Sequence, residues 1–401
     1  MAAPSDIPNI DDFPDITSFD LPNDTFFAWD DPHDDVALNA YLDKRHRHGE
    51  ASREYLLGDK PYPVEVVARW HAFNFPWSDT PPPADRRPVP AAVLDSAFAN
   101  PHSIITITLT HPINTGIPAS SQVWQGTIHA SPASPRVTSS TETLGAPTVL
   151  KLFVESALGP PWQFAPDRGL DQGFWPFSGK QARAEARAYA CMRALQGKEV
   201  PWSYGFYCLR LPYGELAYAH AMELVPGEPM RSVCLRDAPP ALVWPLADAM
   251  AACLHSLTLC GVLQGDVDKR NMILAPPDAA QSVVFVDFNL AGPVRVCSTD
   301  RGVEIVMLIN DIGGIVRALR EMEVPLPLIG AWLEDRGRAV PSPPWIGLFL
   351  LADQAVPNWY EALSVTLANA DHQCCHETQR TAENVPYRHN QQQKEKPRSS
   401  S

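Results

Sequence analysis

The chain has 401 residues, 45% of them hydrophobic, enough for one large or two modest domains with a proper core. Its formal net charge of -14 argues against partners with a nucleic-acid backbone or an anionic membrane surface, which that average field repels. The 41 prolines are roughly twice the ordinary share of about 5% and predict long irregular stretches.

Residues 1–35 repeat Asp and Pro, with no Lys or Arg before Lys44, and read as a disordered acidic arm. Residues 36–103 read as a helical and Pro-rich extension of no assigned role. It holds a helix from Asp35 to Leu57, on which Lys44-Arg-His-Arg-His48 is a solvated face, and a Pro-rich connector from Pro76 to Pro90. The ordered core is expected to begin at Ile104. Alternating β-branched and apolar residues predict strands over Ile104–Thr110, Ser121–Ile128 and Thr148–Val154. A loop rich in Pro, Gly and aromatics fills Glu155 to Gly179. The Ala-rich segment from Ala182 to Leu195 predicts a helix, and Glu215–Leu224 a strand entering a Val-Pro-Gly turn.

Apolar residues at helical period predict a second long helix over Ala241–Leu259, stopped by Gly261. Further helices are expected at Glu304–Met322 and, more weakly, at Ile329–Leu333 and Trp345–Ala368. Residues 369–401 are polar and read as a disordered tail. The eight cysteines lack Cys-x-x-Cys spacing and read as reduced thiols. No leader-like segment opens the chain, and the Trp345–Ala352 apolar run is far short of the roughly 20 residues of a spanning helix. The protein is expected to be intracellular, in the cytoplasm or the nucleus.

The chemistry concentrates between Leu263 and Asn289. Leu-Gln-Gly-Asp-Val-Asp-Lys-Arg-Asn supplies a carboxylate at Asp266 and an amide at Asn271. A β-rich run from Ser282 to Val286 then delivers Asp287. Two strands joined by a turn would set Asn271 beside Asp287, with Asp266 just in front. Hard oxygen ligands beside a free carboxylate suit Mg²⁺-nucleotide chemistry, because Mg²⁺ is usually held by one or two protein oxygens plus phosphates.

These two segments resemble the catalytic and metal-binding loops of the protein-kinase-like phosphotransferases. The order Val123, Lys151, Glu185, the Met222–Gly227 hinge, Asp266, Asn271, Asp287, Asp311 is also the order of that family. The resemblance spans roughly residues 104–365 and implies an α+β, two-lobed protein-kinase-like fold over 104–368. Its β-rich N-lobe would cover about 104–225 and its helical C-lobe about 226–368. It further implies that Lys151 contacts nucleotide phosphates and pairs with Glu185, and that Val123 and Val149 line the base. Adenine would meet the backbone at Glu223 and Val225.

On the same resemblance Asp266 orients the acceptor hydroxyl, Arg270 neutralises the transferring phosphoryl, Asn271 and Asp287 hold Mg²⁺, and Asp311 braces the loop. Gly116 survives from the phosphate-covering loop, with Pro118 and Ser121 where other glycines fall. Gln264 replaces the usual start of the catalytic loop. The short stretch from Asp287 to Asp311 is similar to that of aminoglycoside and choline phosphotransferases and of fungal-type kinase-like proteins. The expected activity is ATP- and Mg²⁺-dependent phosphoryl transfer to a hydroxyl of a protein or small alcohol. The alternative is a non-catalytic binding scaffold.

Overall fold

A computed structural model describes residues 43–52, 55, 62–70, 85–90, 93, 103–115, 121–131, 145–158, 178–276, 283–293 and 312–337. The chain divides into two units, one made of 1–295 and 304–329, the other of 296–303 and 330–401. Among the described residues every strand lies in the first unit. The expected acidic arm (1–35), the polar tail (369–401), the helix at Trp345–Ala368, the first part of Glu304–Met322, Gly116, Pro118 and Asp311 lie outside the described residues.

Six antiparallel strands form a closed barrel: β1 (Tyr62–Trp70), β2 (Ile104–Asn114), β3 (Gln122–Ser131), β4 (Ala146–Phe153), β5 (Ser203–Arg210) and β6 (Leu216–Glu223), ordered β1-β2-β3-β4-β6-β5. Alternation along the strands fills the interior: Ile105, Ile107 and Leu109 on β2, Leu150 and Leu152 on β4. On β6 the alternation is one of size. Ala217, Ala219 and Ala221 face the core that holds Trp124, Trp202 and Tyr204, while Tyr218 and His220 occupy the intervening positions.

This barrel corrects the two-lobed architecture expected from the sequence. A sheet running β2-β3-β4-β6-β5 has two open edges, and β1 consumes both. Tyr62 to Val64 pair with β2, while Glu65 to Trp70 pair with β5. β1 comes from the segment read as a helical and Pro-rich extension, so the foldable part does not begin at Ile104. No separate helical C-lobe is found among the described residues either. Among the described residues the α-helices are 43–52, Ser178–Cys191, Pro240–Leu259, 312–321 and Leu326–Gly337.

Short strands follow β6: β7 (Glu228–Pro229), β8 (Val262–Leu263), β9 (Met272–Leu274), β10 (Val283–Phe285) and β11 (Gly292–Pro293), paired as β10-β9-β7 and β11-β8. The Pro240–Leu259 helix packs on β8 and β10, burying Val243, Ala247, Met250 and Leu254. By length and composition it is apolar enough to cross a membrane. The Ser178–Cys191 helix lies across the outer face of β4 and β6. Its small residues Ala182 and Ala186 pack with Phe153, Phe206 and Tyr218, which lets the helix approach the barrel closely. Cys191, Cys208, Cys234, Cys253 and Cys260 are free thiols.

Candidate functional site

Lys151 sits on the outward face of β4, where a solvent-facing ammonium would be ordinary. It is 2% exposed, because the Ser178–Cys191 helix covers that face. Burying an ammonium is costly unless it is paired and hydrogen-bonded. Its Nζ donates to Glu185 Oε2 and, at 2.6 Å, to Asp287 Oδ1. Burial alone would lower the Lys151 pKa, but the two carboxylates outweigh it and the net shift is upward. Burial likewise pushes Glu185 up, and the Lys151 charge with the hydrogen bonds from Lys151 and His220 brings it below its ordinary value. Both groups are therefore charged at neutral pH.

Asp287 follows β10 and has φ 65°, in the left-handed region that Asp tolerates better than most residues. Its side chain is 27% exposed. Gln264 ties its loop to the preceding one: Nε2 donates to Asp287 O at 2.9 Å, and Oε1 accepts from Asp266 N–H at 2.6 Å. Between them Gly265 takes φ 81°, and a Cβ there would meet Leu290 O at 2.2 Å, so only glycine fits. Asn271 Nδ2 donates to Asp266 O at 2.9 Å and to Asp266 Oδ2 at 3.0 Å. Strands β9 and β10 pair Met272 with Phe285, and Val286 N–H reaches Asn271 O at 2.9 Å. The Asn271 and Asp287 backbones thus leave one two-stranded ribbon at the same end. Burial raises the Asp266 pKa, the Asn271 amide opposes that rise, and the Asp268 and Asp287 charges add to it.

Val123 and Val149 are partly buried on neighbouring strands, and Val123 is the register partner of Lys151. Between β6 and β7, where the sequence suggested a hinge, Val225 N–H makes no backbone hydrogen bond among the described residues. The Glu223 side chain takes a structural post: Arg87 forks onto it at 2.6 and 3.0 Å, and Trp202 N–H donates to it at 3.0 Å. Arg87 also donates to Lys198 O and Val200 O, at 2.7 and 3.0 Å. Arg270 is not brought to the Lys151 cluster. Its Nε and Nη2 fork onto Asp268 at 2.9 and 2.8 Å, where Arg317 joins at 2.7 Å. Burial alone would raise Asp268, yet the Arg270 hydrogen bonds and the two arginine charges hold it below the usual carboxylate range.

Sequence reasoning missed Arg87, His220 and Arg317. His220, on β6, donates from Nδ1 to Glu185 Oε1 at 2.9 Å. Only its place in an Ala-His-Ala alternation marks it out, as a polar group on the outer face of a strand. Arg87 lies 136 residues from Glu223, and no local pattern records that pairing.

Among the described residues no group of three or more His, Cys, Asp or Glu forms a metal cluster. By donor chemistry alone, Asn271 and Asp287 are of the kind Mg²⁺ takes, since it binds one or two hard protein oxygens and completes its shell with water and phosphate. Asn271 supplies a carbonyl oxygen and the partly exposed Asp287 a carboxylate. Neither the models of known protein families nor the curated proteins contain a match to this chain.

Proposed function

We propose that the protein is a Mg²⁺-dependent phosphotransferase that uses ATP and passes a phosphoryl group to a hydroxyl acceptor. The observation that carries this reading is the buried Lys151 ammonium, held between Glu185 and the partly exposed Asp287 beside the Gln264–Asn271 loop. A fixed cation next to a solvent-reaching carboxylate suits polyphosphate. Lys151 binds phosphate oxygens, and Glu185 fixes where its ammonium points. Val123 and Val149 pack on the base, and the Val225 N–H is a donor for its edge.

Asn271 and Asp287 would hold Mg²⁺, which when bound neutralises charge on the phosphates. Asp266 aligns the acceptor hydroxyl and takes its proton as the new O–P bond forms and the bond to the leaving phosphate oxygen breaks. Its raised pKa makes it a better proton acceptor than an ordinary aspartate. Gln264 keeps Asp266 in register with Asp287.

The test is nucleotide binding with and without Mg²⁺, then turnover. Wild type should bind tighter with Mg²⁺, and Asp287→Ala should lose that gain. Asp266→Asn should bind normally but turn over about 10²–10⁴-fold more slowly, the span of general-base effects. Binding indifferent to metal and to Asp287→Ala would count against the reading. The Arg270–Asp268 fork favours one alternative, a non-catalytic nucleotide-binding scaffold, because the cation expected at the transferring group is engaged elsewhere. Metal-dependent binding without turnover on any hydroxyl acceptor would support that alternative.

A further inference from the structure

We propose that His220 is a positioning residue, locked by Ser203 in its Nδ1–H form so that Glu185 stays turned onto Lys151. Lys151 and His220 are register partners on neighbouring strands β4 and β6, and both side chains reach the one carboxylate brought down by the helix. Glu185 therefore spends one oxygen on each: Oε2 accepts from Lys151, Oε1 from His220. A carboxylate can only accept, so Nδ1 carries a proton. Nε2 lies 2.9 Å from Ser203 Oγ, and the hydroxyl donates to it.

The ring plane is fixed as well. Phe206 stacks on it at 4.1 Å with 6° between planes, and Tyr189, one helical turn beyond Glu185, meets it edge-on at 4.4 Å. Ser203 is itself anchored, since its N–H donates to Gln196 Oε1 at 3.0 Å while Gln196 Nε2 donates to Tyr189 O at 3.1 Å. The titratable groups facing His220 are Glu185, Lys151 and Tyr189. Burial lowers the His220 pKa, in keeping with a neutral ring. A lone Lys–Glu pair leaves the carboxylate free to rotate and the helix free to withdraw. With both oxygens engaged, the pair is assembled before any ligand arrives.

The consequence for activity rests on the phosphotransferase reading, whereas the positioning geometry can be measured without it. In the full-length chain, side-chain ¹⁵N spectra should show one neutral Nδ1–H histidine, unchanged from about pH 6 to about pH 8 and missing in His220→Phe. A protonated ring or an Nε2–H form would overturn the proposal. Native labelling of Lys151 by an amine-reactive reagent, read by mass spectrometry, should rise about tenfold in His220→Phe, which keeps the stacking but loses the donor. It should rise less in Ser203→Ala and return toward wild type in His220→Asn, whose amide restores a donor near the Nδ1 position.

Unchanged labelling in folded His220→Phe and Ser203→Ala would sink the idea, as would equal labelling in the Phe and Asn variants. Affinity for Mg-ADP should follow the same order. Absence of nucleotide binding in wild type would instead overturn the function proposed above, and the labelling and spectra would still decide the role of His220.

Discussion

The Lys151 ammonium and the Glu185 carboxylate are both almost fully withdrawn from water, so each is tolerable only because it is paired, with the other and with Asp287 or His220. Lys151→Met strands two carboxylates and should cost about 3–5 kcal/mol in a urea titration. Lys151→Met combined with Glu185→Met should regain much of that stability, since an apolar pair of similar volume replaces an ion pair, yet nucleotide binding should stay lost. A double variant as unstable as the single one would show that the pair contributes little as a unit.

Glu215 offers a second test among single residues. Burial raises it to about 7 against the hydrogen bonds from Ser156, whose N–H and Oγ lie 3.0 and 2.5 Å away. The folded state then binds the proton more tightly than the unfolded chain between about pH 4.5 and 7. Its stabilising contribution, present at the acid end, is lost as pH rises through 7. Glu215→Gln should flatten the stability–pH curve over that window by about 3 kcal/mol, measured by urea titrations at several pH values.

Among elements, strands β2, β3, β4 and β6 could be read directly, because each alternates in polarity or size or carries β-branched residues. Lys151 stood out only because a charge interrupts such a run. Strand β5 could not be read: Ser-Tyr-Gly-Phe-Tyr-Cys-Leu is buried on both faces, so no alternation marks it. Strand β1 carries Pro63 close to its start and sits among prolines, which lowers any strand reading. The segment 85–90 looked like a plain connector, but Arg87 makes it a clasp on the barrel at the end of β6. Arg87→Met leaves the Glu223 carboxylate with a single N–H donor and should destabilise the protein by about 3 kcal/mol in urea titrations, far more than an exposed arginine would. Gly314 tests a helix contact. A Cβ there would meet Val267 Cβ at 2.3 Å, so Gly314→Val should force the 312–321 helix away from the Asp266 loop and lower turnover more than nucleotide affinity.

For the whole molecule, local sequence carried the order of the chemical groups but not the architecture. The resemblance implied two lobes because it rests on the order of groups from Val123 to Asp311, all of them after Ile104, and nothing local in β1 says that it joins the strands that follow. Its partners on β5 lie up to 145 residues away, as for Glu65 and Arg210, and a pairing of that span leaves no trace in periodicity. A chain starting at residue 104 should therefore not behave as a trimmed domain. It would present β2 and β5 as bare edges and should associate into oligomers or aggregates on light scattering, while the full chain does not do so through those strands.

That separation also sets an order of events. Synthesis delivers Tyr62–Trp70 long before Ser203–Arg210 has been made, so the earliest stave of the cask waits for the hoop to come round. Until then its backbone groups on that side are satisfied by water alone. The ring-closing step should be late, slow and dominated by loop entropy, as expected where distant parts of a polypeptide must meet.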